Sequence, residues 1–217
     1  MTFRWFASLM LLSASSCAGA PTPCAGSTGC PASHECLASR CAIEGGAPVP
    51  AQTRRVLLRP SALAIASREP TRGVAPSVTL GAHASAPAAL YLRFDQSWRT
   101  GHVRAAFLLL EPRSGGPLGP DVALEVWRTN RSWTDAGFGW SQQPGFAPPF
   151  ARAIGRPAPT LPVRVDVTEI VRYFAQHPSH DFGFVVRASQ ENPTGIALST
   201  GVDGGAAPRL DVYLDPP

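Results

Sequence analysis

Cysteines are the residues of this chain most suited to covalent or metal chemistry, and four of its five fall between positions 24 and 41. Cys24, Cys30, Cys36 and Cys41 are separated by five, five and four residues, with Gly26, Gly29 and Pro31 among them. Four thiols this close either pair as two disulfides or hold one zinc ion. Zinc sites are usually assembled from Cys-x-x-Cys pairs, which this stretch lacks, so disulfides in one of three connectivities are the favoured reading. A stretch this short cannot bury a core and depends on its cross-links.

Other chemistry is sparse. His34, His83, His102, His177 and His180 are scattered, and the last two flank Pro178, where a helix would stop. The chain has no His-Glu-x-x-His, Gly-x-Ser-x-Gly or phosphate-loop pattern. All 19 basic residues are Arg, which removes lysine Schiff-base and lysine-phosphate chemistry. The formal charge of +4 is spread out, with only Arg54 and Arg55 adjacent, so no nucleic-acid stripe is expected. Asp203-Gly204-Gly205 is read as a turn rather than a calcium loop. We expect no catalytic residue, metal or cofactor. An enzyme with two carboxylates that meet only in space remains the third reading.

The fifth cysteine, Cys17, belongs to the N-terminus. Arg4 precedes an apolar run, Trp5–Leu12, well short of the ~20 residues that cross a bilayer. A charged start, an apolar run and small residues beyond it make an export signal over residues 1–16. Two processing sites compete. Ser13-Ala14-Ser15-Ser16-Cys17 resembles a bacterial lipobox, with Ala14 where leucine is usual, and implies a lipidated Cys17. Ala18-Gly19-Ala20 fits ordinary cleavage, but Pro21 would follow the scissile bond. The odd cysteine favours lipidation, since an exported free thiol is a liability. The expected organisation is a signal at 1–16, an anchor and Cys-rich stub at 17–41, an Ala/Pro/Gly linker at 42–54, and one domain over 55–217.

Short apolar or alternating runs recur through that domain. They are Val56–Leu58, Ser77–Leu80, Leu90–Phe94, Val103–Glu111, Val122–Arg128, Val163–Val167, Gly183–Ala188, Gly195–Ser199 and Arg209–Leu214. Several keep period two, as in Leu90/Leu92/Phe94 and Leu210/Val212/Leu214. With 23 Pro and 20 Gly between the runs, the pattern predicts an all-β, two-sheet antiparallel sandwich, jelly-roll-like. Val167, Ile170, Val171 and Phe174 follow helical spacing instead. Asp166 and Glu169 form a capping-box-like pair, so one short helix is expected, ending before Pro178.

Several pieces in order resemble the DNRLRE-type domain, related to a carbohydrate-binding module family found on alginate-active proteins. They are Leu90-Tyr91-Leu92-Arg93-Phe94-Asp95, Ala105–Leu110, Trp133-Thr134-Asp135 with Trp140 and Pro144, Val165–Val171, Phe182-Gly183-Phe184 and Pro208-Arg209-Leu210. Phe174 stands where that family has tryptophan, and Ser199-Thr200-Gly201 where it tends to have Ser-Arg-Glu. The resemblance implies a β-sandwich and binding of an extracellular polysaccharide. Tyr91, Trp98, Trp133 and Trp140 are the candidate sugar-stacking rings, with packing in the core or at the loop rim as the competing role. The expected protein is a secreted, non-catalytic module at the outer membrane or cell surface, with the lipid anchor as its only membrane contact. A protein-binding or structural adhesion module is the alternative.

The two readings of the N-terminus differ in mass. If Cys17 is the acyl acceptor, the mature chain begins there, partitions into detergent and loses its acyl groups in Cys17→Ser. A soluble wild-type chain beginning at Pro21, identified by intact mass, would overturn the anchor.

Overall fold

The computed structural model describes residues 35–37, 40–42, 53–68, 74–81, 87–116, 122–134, 138–155, 161–189 and 195–215. The export segment, Cys17, Cys24, Cys30 and most of the linker lie outside them.

The strands begin with β1 (Glu35–Leu37), β2 (Arg40–Ala42), β3 (Arg54–Leu58), β4 (Pro60–Ser67) and β5 (Ser77–Leu80). Next come β6 (Ala88–Phe94), β7 (Val103–Leu110), β8 (Val122–Thr129), β9 (Phe138–Gly139) and β10 (Phe146–Gly155). The last four are β11 (Val163–Asp166), β12 (Phe184–Ala188), β13 (Ile196–Ser199) and β14 (Arg209–Leu214). The first two form a hairpin. The others build an antiparallel β-sandwich, apart from a two-residue parallel contact of β9 on β4.

One sheet has six strands, in the order β10-β8-β12-β6-β4-β9. The other has four, β11-β7-β14-β3, and the pair β13–β5 extends it. Beyond β7, the Ser199 N–H donates to Glu111 O (2.8 Å) and the Arg113 N–H to Ala197 O (2.9 Å). Odd-numbered residues of β7 face β14, so these bonds place β13 end to end with β14, and β5 correspondingly beyond β3. The chain passes from one sheet to the other at nearly every connection, in the jelly-roll manner.

Period two decides what lies between the sheets. Leu90, Leu92 and Phe94 of β6, with Val122, Leu124 and Val126 of β8, point inward against Leu108, Leu110, Leu210 and Val212 of the opposite sheet. Full burial of each such side chain stabilises by about 1.5–3 kcal/mol. The helix α1 (Thr168–Gln176) closes one end by inserting Ile170, Val171 and Phe174 into this core. Its start differs from the expected capping box. Asp166 Oδ1 accepts from the Thr168 N–H (3.0 Å) and hydroxyl (2.6 Å), while Glu169 pairs with Arg172 (2.9 Å) instead of reaching back.

Two long strands are absent from the apolar runs of the sequence. Alanine, a poor strand former, fills every second position of β4, and Pro60 opens it. Pro148-Pro149 interrupts β10, and proline donates nothing to a ladder. The sheet accommodates the two prolines as a bulge. Ala147 pairs with Arg128 and Phe150 with Trp127, so residues 148 and 149 are extruded.

Gly183 lets β12 enter between β6 and β8. Its φ is +93°, and a Cβ there would lie 2.3 Å from the Leu92 carbonyl oxygen. Gly183→Ala is therefore expected to cost more than about 2 kcal/mol, lowering the urea midpoint without changing the slope. A variant as stable as the parent would contradict this packing.

Candidate functional site: an aromatic face on the six-stranded sheet

The outward face of the six-stranded sheet is apolar as well, and a loop among the described residues covers half of it. Ala62, Ala64 and Ala66 of β4, Ala89 and Tyr91 of β6 and Val185 of β12 form a second buried cluster there with Trp133. Trp133 and Trp140 come from the loop between β8 and β10. This loop is closed at its base by the Asn130 N–H donating to Gly145 O (3.1 Å) and reaches the far edge, where β9 touches β4. It forms a strap, which the small alanine side chains let lie close to the sheet.

Tyr91 pins the strap. Its ring is wholly buried, its hydroxyl donates to Pro144 O (3.0 Å), and Gln143 Oε1 lies 3.1 Å away. Burial pushes the phenol pKa well above its ordinary value. Trp133 meets Tyr91 edge to face at 5.9 Å, donates its Nε1–H to Phe182 O (2.6 Å), and carries the Arg93 guanidinium 5.3 Å from its ring centre.

These contacts give three of the candidate rings the packing role rather than the stacking one. Tyr91 and Trp133 are buried supports of the strap, and Trp98, 2% exposed, belongs to the main core. None of the three presents a ring to a ligand, because strap or core covers it. Trp140 is half-buried and lines a surface pocket of about 460 Å³ with Arg68, Gly139, Ser141 and Gln142. Cys36 lies opposite Cys41 in the β1–β2 hairpin, and Cys41 is buried and disulfide-bonded.

The other half of the face, on β10, β8 and β12, carries aromatics outside the candidate rings of the sequence. Trp127 of β8 stacks on Phe150 of β10 at 4.0 Å and 13°, and Phe146 approaches it at 5.2 Å and 51°. Phe146 and Phe150 are 38% and 42% exposed, unusual for such rings. The Pro148-Pro149 bulge brings both to one indole. Four residues of extended strand span about 13 Å, but extrusion of two reduces the registered step to about 7 Å. The signal was present in the alternation of Glu125, Trp127 and Thr129 on β8. It was obscured because Phe146 and Phe150 lie in a proline-interrupted run.

Charged groups frame the rings. Arg152 stacks over Phe150 (5.5 Å) and Arg187 over Phe146 (4.8 Å). Glu125 sits between the two arginines in register and is buried. Its carboxylate accepts from Trp127 Nε1 (3.1 Å), Arg152 (3.2 Å) and the Ser189 hydroxyl (3.2 Å). Flat rings and fixed donors on an open surface can hold a ligand by stacking and hydrogen bonds. Among the described residues, no group of three or more His, Cys, Asp or Glu gathers to hold a metal. No helix there is long and apolar enough to cross a membrane. No family model and no curated protein sequence matches the chain.

Behind the strap, Asp181 anchors the segment that accepts the Trp133 N–H. It pairs with Arg99 (2.9 Å) and accepts from the Gly183 N–H. Burial outweighs these partners and raises its pKa above the ordinary 3.8. A raised folded-state pKa means that Asp181 favours folding most below its unfolded value, and that this contribution fades as pH rises through the folded value. Wild type should therefore lose stability relative to Asp181→Asn as pH climbs from 3.8 toward neutrality. Paired urea titrations at pH 3.5 and 7 would measure it, and a difference independent of pH would contradict the assignment.

Proposed function

We propose that the chain is a non-catalytic, exported binding module whose β10–β8–β12 face takes an extracellular polysaccharide, with Cys17 as a lipid anchor at the cell surface. The observation that carries this reading is the partial exposure of Phe146 and Phe150 against Trp127 on the six-stranded sheet. Sugar rings present apolar C–H faces that stack on aromatic surfaces, and the arginines beside them supply donors for hydroxyl or carboxylate oxygens. The face is open along the sheet, which suits the interior of a long polymer. The sequence resemblance to a carbohydrate-binding domain supports the same reading. The stacking rings of this face are Trp127, Phe146 and Phe150, while Tyr91, Trp98 and Trp133 pack beneath the strap or in the core.

Affinity electrophoresis of the full chain through a panel of extracellular polysaccharides tests the proposal. At least one polymer should retard it and release no new reducing ends. The double variant Phe146→Ala/Phe150→Ala should weaken retardation about tenfold or more while keeping the unfolding transition. Retardation unchanged in the double variant would move the site elsewhere, and the absence of any bound polymer would sink the function.

A further inference from the structure

The aromatic face contains a closed circuit of four side chains that stacking alone does not require. The Trp127 indole N–H donates to Glu125, its ring stacks on Phe150, Phe150 lies beneath Arg152, and Arg152 returns to Glu125. We propose that Glu125 is the positioning residue of this face. Its carboxylate fixes the indole plane, so that Phe150 and Phe146 are held as one preformed platform.

Glu125 is 7% exposed although it stands on the outward side of β8. A carboxylate in such a place is costly unless donors satisfy it. Here Oε2 takes the indole N–H, while Oε1 takes Arg152 and Ser189. The donors come from three places: β8 itself, β10, and the residue just after β12. Ser189 is in turn buried and tied to β8 by its N–H, which donates to Ala123 O (2.9 Å). The carboxylate is therefore immobile, and the tryptophan two residues along the same strand inherits that rigidity. A half-exposed indole without the tether could turn about its side-chain torsions, and a ligand would then have to order it on binding.

The inference rests on the proposed use of this face, but its first test does not. Glu125→Gln keeps size and polarity while replacing an acceptor oxygen by a donor. It should shift tryptophan emission to the red and increase acrylamide quenching, and neither change should appear when Glu125→Gln is introduced beside Trp127→Phe. Glu125→Asp, charged but one methylene short, should behave like Gln. Identical spectra for wild type and Glu125→Gln, or an equal change beside Trp127→Phe, would overturn the proposal.

If Glu125→Gln does not fold, the unsubstituted chain still decides the matter. Its Trp127 Nε1–H resonance, assigned by its disappearance in Trp127→Phe, should exchange slowly with solvent; rapid exchange would overturn the tether. For binding, laminarin serves as a neutral probe and polygalacturonate as an acidic one. With whichever polymer retards the wild type, Glu125→Gln and Trp127→Phe should each weaken retardation, and together no more than the stronger alone. Additive losses would overturn positioning through the indole. Failure of wild type to bind either polymer counts against the proposed function, while the emission and exchange measurements still decide the role of Glu125.

Discussion

The buried hydroxyl of Tyr91 is the contact on which the arrangement of the outer face depends. A strand in an ordinary sandwich shows one face to the core and one to water, but β6 is apolar on both sides of Tyr91. Its outward residues must be covered, and the described parts of the strap between β8 and β10 cover them. A phenol buried there needs a partner, and the Pro144 carbonyl supplies it at the point where the strap turns back toward β10. That turn fixes where Phe146 enters the sheet and so which part of the face remains open. The position of the candidate site is a consequence of the strap's length and anchorage.

The second recurring constraint is the exclusive use of arginine. Seven guanidinium groups lie over aromatic rings among the described residues, on both outer faces and at the ends of the sandwich. Arg164 lies 3.8 Å from the centre of Phe107, and Arg55 covers Tyr213 while gripping Asp211 with two nitrogens (2.8 and 2.7 Å). That bidentate hydrogen bond raises the Arg55 pKa, with burial opposing it. A flat, weakly hydrated cation can cover a ring and still form ion pairs at its rim, which an ammonium group does poorly. On the four-stranded sheet Phe107, Leu109 and Tyr213 form a buried outer cluster, with Arg164 over Phe107 and Arg55 over Tyr213. Among the described residues, guanidinium groups lie over the outer aromatics of one sheet, and a loop covers part of the outer face of the other.

The loop's limited reach separates support from exposure. Trp133 and Trp127 have the same chemistry and lie near one another on the sheet, yet one is sealed under the strap and the other stands at its border. Trp133 packs on β4, β6 and β12 under the strap, and the glutamate on β8 holds the rings of the open half. A platform built in this way is ordered before any ligand arrives, which lowers the entropic cost of binding.

Much of the fold could be read from residue order. Period two in β6, β8, β11 and β14 gave the sandwich and its inward residues, and the spacing Val167/Ile170/Val171/Phe174 gave the helix, because burial on one side imposes those repeats directly. The strands β4 and β10 could not be read, since alanine and proline carry little strand preference and the sheet imposed the conformation from its neighbours. The candidate site lay in that gap. The sequence offered Tyr91, on an alternating strand, with Trp98 and Trp133 as candidate rings, but it could not tell a ring under a strap from a ring facing solvent. That distinction depends on a loop crossing the sheet from 53 residues away and on a two-residue bulge that shifts register, both long-range packing outcomes.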